Sequence, residues 1–209
     1  MRARAIVPQK ALSHAKSRLI NALAPAARAE LTLALLHNVC FALRAVREIE
    51  DLAVMTPDPI VAAHAAAWGL RALIDPGPGL NAALERMMQT AGRSHAVLIV
   101  AGDLALLRPA DVAALLEAGA SGRLVLAPSK EGTGTNAVVV PQGMTFRPAY
   151  GGASLAAHRA GARSFGYDVI EVRRPGLAFD VDNEADLRAL DGLRQRRLHV
   201  HVRDIPAFE

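Results

Sequence analysis

The strongest chemical signal in this chain is a set of aspartates at places where an apolar strand gives way to a turn. The run Ala-Val-Leu-Ile-Val at 96–100 ends in Ala101-Gly102-Asp103, which sets a carboxylate at the edge of a buried strand. A second pair stands in Phe179-Asp180-Val181-Asp182, where alternation along an extended segment puts Asp180 and Asp182 on one face. One or two carboxylates plus substrate phosphates are the common way for a protein to hold magnesium. Asp103, Asp180 and Asp182 are therefore the candidate metal ligands, and magnesium is the expected cofactor. Helix capping competes for part of this set, because Asp182 or Asn183 precedes a helical pattern. Capping explains one aspartate but not three.

Cations gather near the start. Pro8, Gln9 and Lys10 follow the first β-rich run, and Lys16-Ser17-Arg18 comes soon after. Lys10, Lys16 and Arg18 suit a triphosphate through charge-assisted hydrogen bonds, although a solvated basic helix start has the same composition. Three glycine-rich segments offer backbone amides to a nucleotide or an anion: Asp75-Pro76-Gly77-Pro78-Gly79-Leu80-Asn81, Glu131-Gly132-Thr133-Gly134-Thr135-Asn136, and Tyr150-Gly151-Gly152-Ala153-Ser154. The first two also read as ordinary turns. The third opens a helix whose free amides favour an anion, with Ser154 as cap or ligand and His158 one turn on, a residue more often found simply packed. The His199-Val200-His201 spacing lacks a third ligand nearby and reads as structural. Neither a P-loop nor a strand followed by GxGxxG occurs, which removes the main support for an ATPase or a Rossmann dehydrogenase.

The elements that must carry these residues follow a βαβ rhythm. Strand patterns fall at 4–7, 52–56, 71–74, 96–100, 124–127, 137–140 and 169–172. Helical patterns fall at 25–46, 59–68, 80–91, 109–119, 154–165 and 184–193, many of them opening after Pro, Ser, Asp or Asn. Strands apolar throughout are buried on both faces, which implies a single-domain α/β fold with a mainly parallel twisted sheet flanked by helices. One domain is expected over 1–193, followed by a tail at 194–209 that reads as an edge strand, a subunit contact or a solvated end.

Composition narrows the classes further. The 209 residues are 52% hydrophobic but only 4% aromatic, so the core must be Ala, Leu and Val, as in helices packed on a buried sheet. A formal charge of +4 fits nucleic acid or an anionic small substrate. With so few aromatics to stack bases and no zinc-finger cysteines, no nucleic-acid partner is expected. The sequence shows no secretion signal and no obvious membrane span, and its single cysteine, Cys40, falls in a helical apolar pattern. A cytoplasmic protein with Cys40 as core packing is the expectation; a homodimer is compatible with it.

Taken in order, these segments resemble the MobA-like nucleotidyltransferases of GT-A-like fold. They are more closely similar to the CofC/FbiD family of guanylyltransferases in deazaflavin coenzyme F-420 biosynthesis. The carriers, from Ala5 to Leu190, are VPQKALSHAKSRL, MTPD at 55–58, DPGPGLNAAL at 75–84, GDLALL at 102–107, APSKEGTGTNAVVV at 127–140, YGGASLAAHRA at 150–160 and GLAFDVDNEADL at 176–187. The resemblance implies transfer of GMP from GTP to a phosphorylated three-carbon acid with release of pyrophosphate. The acids known in the family are 2-phospholactate, phosphoenolpyruvate and 3-phosphoglycerate. It implies catalytic roles for Lys10, Lys16, Arg18 and Asp103, metal ligation by Asp103, Asp180 and Asp182, and nucleotide binding at Pro8, Lys10, Asp75, Gly79, Leu80, Asn81 and Asp103. Thr135, Gly151, Gly152 and Ser154 would receive the acid. Relatives often read Gly-Pro-Gly-Ser where this chain has Gly151-Gly152-Ala153-Ser154, and the extra backbone amide at Gly152 leans towards 3-phosphoglycerate. Sugar-phosphate or molybdopterin nucleotidyltransfer, and non-catalytic nucleotide or nucleic-acid binding, are the competing functions.

Overall fold

All seven β-rich runs become strands of one sheet, and the reversal of a single strand decides where the site forms. In the computed structural model, which describes residues 1–74, 77, 79–91 and 95–196, the strands are β1 (Ala3–Pro8), β2 (Ile49–Thr56), β3 (Arg71–Ile74), β4 (Ala96–Val100), β5 (Leu124–Pro128), β6 (Thr135–Val140) and β7 (Val169–Glu171). Their order across the sheet is β3-β2-β1-β4-β6-β5-β7. Neighbours pair in parallel except where β6 runs antiparallel to β4 and β5. A parallel connection needs a crossover of about a dozen residues or more. The turn between Pro128 and Thr135 is too short for that, so β5 and β6 close as a hairpin. β6 thereby presents its first residue, Thr135, at the edge where β1, β2 and β4 present their last.

The helices are α1 (Pro25–Arg44), α2 (Pro59–Ala67), α3 (Leu80–Ala91), α4 (Pro109–Gly119), α5 (Ser154–Ser164), a short α6 (Pro175–Ala178) and α7 (Glu184–Arg196). Alternation along each strand feeds two cores. On one face Ala5, Val7, Leu98, Val100, Val125 and Val139 pack with Leu36, Val39 and Leu43 of α1, Val61 of α2 and Leu115 of α4. On the other, Ile6, Val97, Ile99, Leu126 and Val138 meet Leu84 and Met88 of α3 and Leu155 of α5. The aromatic-poor composition is accommodated because small and branched residues fill both layers. Cys40 lies in the first core, 3% exposed, and burial pushes its thiol up to about 12.

α1 has the length and apolarity to cross a membrane by composition alone. The sequence pattern had not marked it, since Arg28, Glu30 and Asn38 interrupt the run. In this fold its apolar side packs on the sheet through Leu36, Val39 and Leu43. The proposed tail begins inside α7, which continues to Arg196. The rest of it, including His199 and His201, lies outside the described residues.

Candidate active site

A cleft of about 600 Å³ opens at the strand edge that the reversal of β6 completes. In open α/β sheets this edge, outside the carboxyl ends of parallel strands, is where ligands bind. One wall is the loop that leaves β1. Two 3-10 turns, Leu12–His14 and Ser17–Leu19, flank Lys16, whose φ of 51° and ψ of 40° lie in the left-handed region. A side chain pays steric strain there, and such strain persists only where surrounding contacts fix it. The fixing contacts are visible. The Gln9 amide donates to the Met55 carbonyl at 2.8 Å, and the Leu12 amide to Asp58 Oδ2 at 2.8 Å, while Oδ1 of Asp58 caps α2 through Ile60.

The conformation delivers the Lys16 ammonium between two carboxylates. It donates to Asp103 Oδ2 at 2.6 Å and to Asp182 Oδ1 at 3.2 Å, with its side chain only 6% exposed. Arg18, on the exposed rim, reaches Asp182 Oδ2 at 3.4 Å.

The acidic side is built by a second loop. Leu104 forms an antiparallel bridge with Asp180, and the Val181 amide donates to the Asp103 carbonyl at 3.3 Å, so residues far apart in sequence share one backbone ladder. Asn136 at the start of β6 donates to the carbonyls of Leu177 and Ala178 and to Asp180 Oδ1 at 3.4 Å. Burial, reinforced by the charges of Asp103 and Asp182, pushes the Asp180 carboxyl above its ordinary range. The two competing explanations of Asp182 separate here. Asn183 caps α7, accepting from the amides of Ala185 and Asp186, which leaves the Asp182 carboxylate to face Lys16 and Arg18. Asp186 accepts from the amides of Asp182 and Asn183 at 2.8 and 3.0 Å and pairs with Lys130. Lys130 also donates to the Asp180 carbonyl at 3.2 Å and lies over the Phe179 ring. Burial works against the Lys130 charge, but the hydrogen bond and charge of Asp186 carry its pKa above the ordinary value.

Of the residues singled out in the sequence, Pro8, Lys10, Lys16, Arg18, Gly79, Leu80, Asp103, Thr135 and Asp182 line the cleft. Asp180 stands behind them at the same edge. Asn81 turns to the protein, its amide pairing reciprocally with the backbone of Tyr150 at 2.8 and 3.1 Å. Ser154 is 3% exposed and its hydroxyl accepts from the Thr135 amide, so its oxygen braces β6 on α5. Gly151 and Gly152 are exposed beside the cleft, and a Cβ on either would meet nothing within 4 Å. Asp75 lies outside the described residues. The cleft also recruits Gln9, His14, Thr56, Pro57 and Tyr150, and the supports Asp58, Lys130, Asn136 and Asp186 were not singled out. Their positions beside the motifs were visible, but which strand ends share an edge was not. Among the described residues no three His, Cys, Asp or Glu side chains form a ready-made metal cage.

A parallel sheet with one reversed strand thus sets cations beside paired carboxylates at the edge of an open cleft, an arrangement suited to a polyphosphate. Similar solved folds include a putative nucleotide-diphospho-sugar transferase from Desulfovibrio desulfuricans (TM-score 0.75, 16% identity, 98% of this chain and 91% of that one). A nucleotidyl transferase from Methanothermobacter thermautotroptrophicus is another (TM-score 0.66, 16% identity, 94% and 100%). Residues 3–192 match the family described as guanylyl transferase CofC like, and the chain belongs to that family. It is 43% identical over 190 residues to the phosphoenolpyruvate guanylyltransferase of Sphaerobacter thermophilus, covering 90% of this chain and 92% of that protein. It is 40% identical over 192 residues to the protein of the same name from Rubrobacter xylanophilus, covering 90% and 92%.

Proposed function

We propose that this chain transfers GMP from GTP to phosphoenolpyruvate in coenzyme F-420 biosynthesis. In the reaction a phosphate oxygen of the acid forms a bond to the α-phosphorus of GTP, the bond from that phosphorus to the bridging β-oxygen breaks, and pyrophosphate leaves with the electron pair. The observation that carries this reading is the facing of Lys10, Lys16 and Arg18 against Asp103 and Asp182 in one cleft. The cations offset charge that grows on the departing pyrophosphate, and no covalent enzyme intermediate is needed. The phosphoenolpyruvate named for relatives at 40% and 43% identity supports the choice of acid. The leaning towards 3-phosphoglycerate, drawn from the Gly152 amide, is not taken up, because Gly152 is not among the residues lining the cleft and the relatives are named for phosphoenolpyruvate.

Asp103 and Asp182 fit magnesium by their chemistry: both are hard oxygen donors already gathered around a single cationic point, and Asp180 adds negative potential behind them. When bound, magnesium would lend Lewis-acid stabilisation to the phosphoryl oxygens. We assign guanine selection to the wall that Met55, Thr56, Gly79 and Leu80 form, and the reaction to the cytoplasm.

The test is to incubate the protein with magnesium, GTP or ATP, and one acid at a time from phosphoenolpyruvate, 3-phosphoglycerate and 2-phospholactate. Pyrophosphate release and the mass of a guanosine-diphosphate-linked product are the readouts. Turnover with phosphoenolpyruvate that exceeds the other two is expected. Preference for another acid would overturn the substrate, and equal turnover with ATP would overturn the base.

A further inference from the structure

His158 does not touch the cleft, yet its hydrogen bonds determine what Thr135 can do there. The imidazole sits on α5, 1% exposed, with its ring 5.1 Å from that of Phe146 and 4.9 Å from that of Tyr150. Both nitrogens are engaged: Nε2 lies 2.9 Å from the backbone nitrogen of Ala149, and Nδ1 3.0 Å from Thr135 Oγ1. An amide N–H can only donate, so Nε2 must be the bare, accepting nitrogen. A neutral imidazole then carries its single proton on Nδ1 and donates it to Thr135 Oγ1. An imidazolium would set N–H against N–H at Ala149. Burial agrees with this, lowering the pKa to about 4.

The consequence passes to the threonine. Its backbone amide is committed to Ser154 Oγ at 2.9 Å, and its oxygen already accepts from His158. The one hydrogen left on Oγ1 has no acceptor among the described residues, and Thr135 is a lining residue of the cleft.

We propose that His158 is a positioning residue that occupies one lone pair of the Thr135 hydroxyl and leaves its hydrogen to be donated into the cleft, to an anionic oxygen of the phosphorylated acid substrate. The inference rests on the acid-accepting reading of the cleft given above. A hydroxyl free to rotate would have to be oriented on binding; one with a lone pair already engaged has fewer orientations to lose.

The experiment has a spectroscopic arm and a kinetic arm. In wild-type protein labelled with ¹⁵N-histidine, His158 at pH 7 is expected in the Nδ1–H tautomer, with its Nδ1 signal shifting when phosphoenolpyruvate is added. An Nε2–H tautomer or an imidazolium would overturn the proposal without reference to activity. In steady-state kinetics, His158→Leu is expected to raise KM for the acid about tenfold, the factor for about 1.4 kcal/mol, with KM for GTP within about twofold of wild type. His158→Gln, whose amide can accept from Ala149 and donate to Thr135, is expected to restore most of the loss. Adding Thr135→Val to His158→Leu should cost little more, because the relay is already broken. Equal changes in both KM values, no rescue by Gln, or full additivity would sink the relay. If wild type turned over none of the acids, the proposed function would fail while the tautomer measurement still judged the His158–Thr135 geometry.

Discussion

Replacing Lys16 separates two effects that the fold has placed on one residue. Lys16→Met keeps a long side chain and the left-handed backbone but removes the ammonium that bridges Asp103 and Asp182 at 2.6 and 3.2 Å. Losing one partner of a fully buried ion pair costs about 3–5 kcal/mol, while exposed pairs are worth about 1 kcal/mol or less. The lysine side chain is 6% exposed, but the carboxylates are 27% and 40% exposed, so water screens part of the loss. A destabilisation of about 2 kcal/mol is expected between those limits. Lys16→Ala and Lys16→Gly lose the same charge and the buried stem as well, but only Gly relieves the strain at φ 51°, worth about 1 kcal/mol less the greater freedom glycine gains on unfolding. Urea denaturation at pH 7.5 with metal chelated should therefore rank wild type first and Gly level with or above Ala. GTP-dependent pyrophosphate release should fall at least a hundredfold in all three, roughly 3 kcal/mol of barrier. A Met variant as stable as wild type would refute the ion-pair argument. A Gly variant clearly less stable than Ala would refute the strain argument.

Three further outcomes follow from other parts of the fold. A Cβ at Gly176 would fall 2.0 Å from Asp111 Oδ2 and 2.8 Å from the Leu106 carbonyl, so Gly176→Ala should break the Arg174–Asp111 pair and lower stability by about 2–3 kcal/mol in urea denaturation. The His158 pKa of about 4 lies below the unfolded value near 6.5, so the unfolded chain binds the extra proton between those values. The neutral ring's contribution, at most about 3 kcal/mol, should be present above pH 6.5 and lost as pH falls to 4, and His158→Gln should flatten that part of the stability profile. Cys40, with its thiol pushed up to about 12, should resist a thiol-reactive disulfide dye at pH 8 in the native state and react at once in denaturant.

The periodicities made the sheet legible because each strand and long helix obeys its own local pattern. The apolar run at 96–100 reads as a strand covered on both faces and is one, and Pro109–Gly119 is a helix with the bounds its pattern suggests. What local pattern could not carry is pairing. The short connection before Thr135 announces a hairpin, but nothing near it announces that β6 pairs with β4, and that pairing puts Thr135 beside Asp103. The choice between Asp182 and Asn183 as the cap of α7 was undecidable from composition, since both residue types cap well. It was settled by Asp186, whose carboxylate takes the amides of Asp182 and Asn183, and by Lys16, which takes the Asp182 side chain. Ser154 illustrates the opposite case. A serine after two glycines at a helix start suits an anion, but here the Thr135 amide is the nearer claimant on its oxygen. The Ser154 oxygen accepts inside the protein, and of the two residues joined by that hydrogen bond it is Thr135 that lines the cleft.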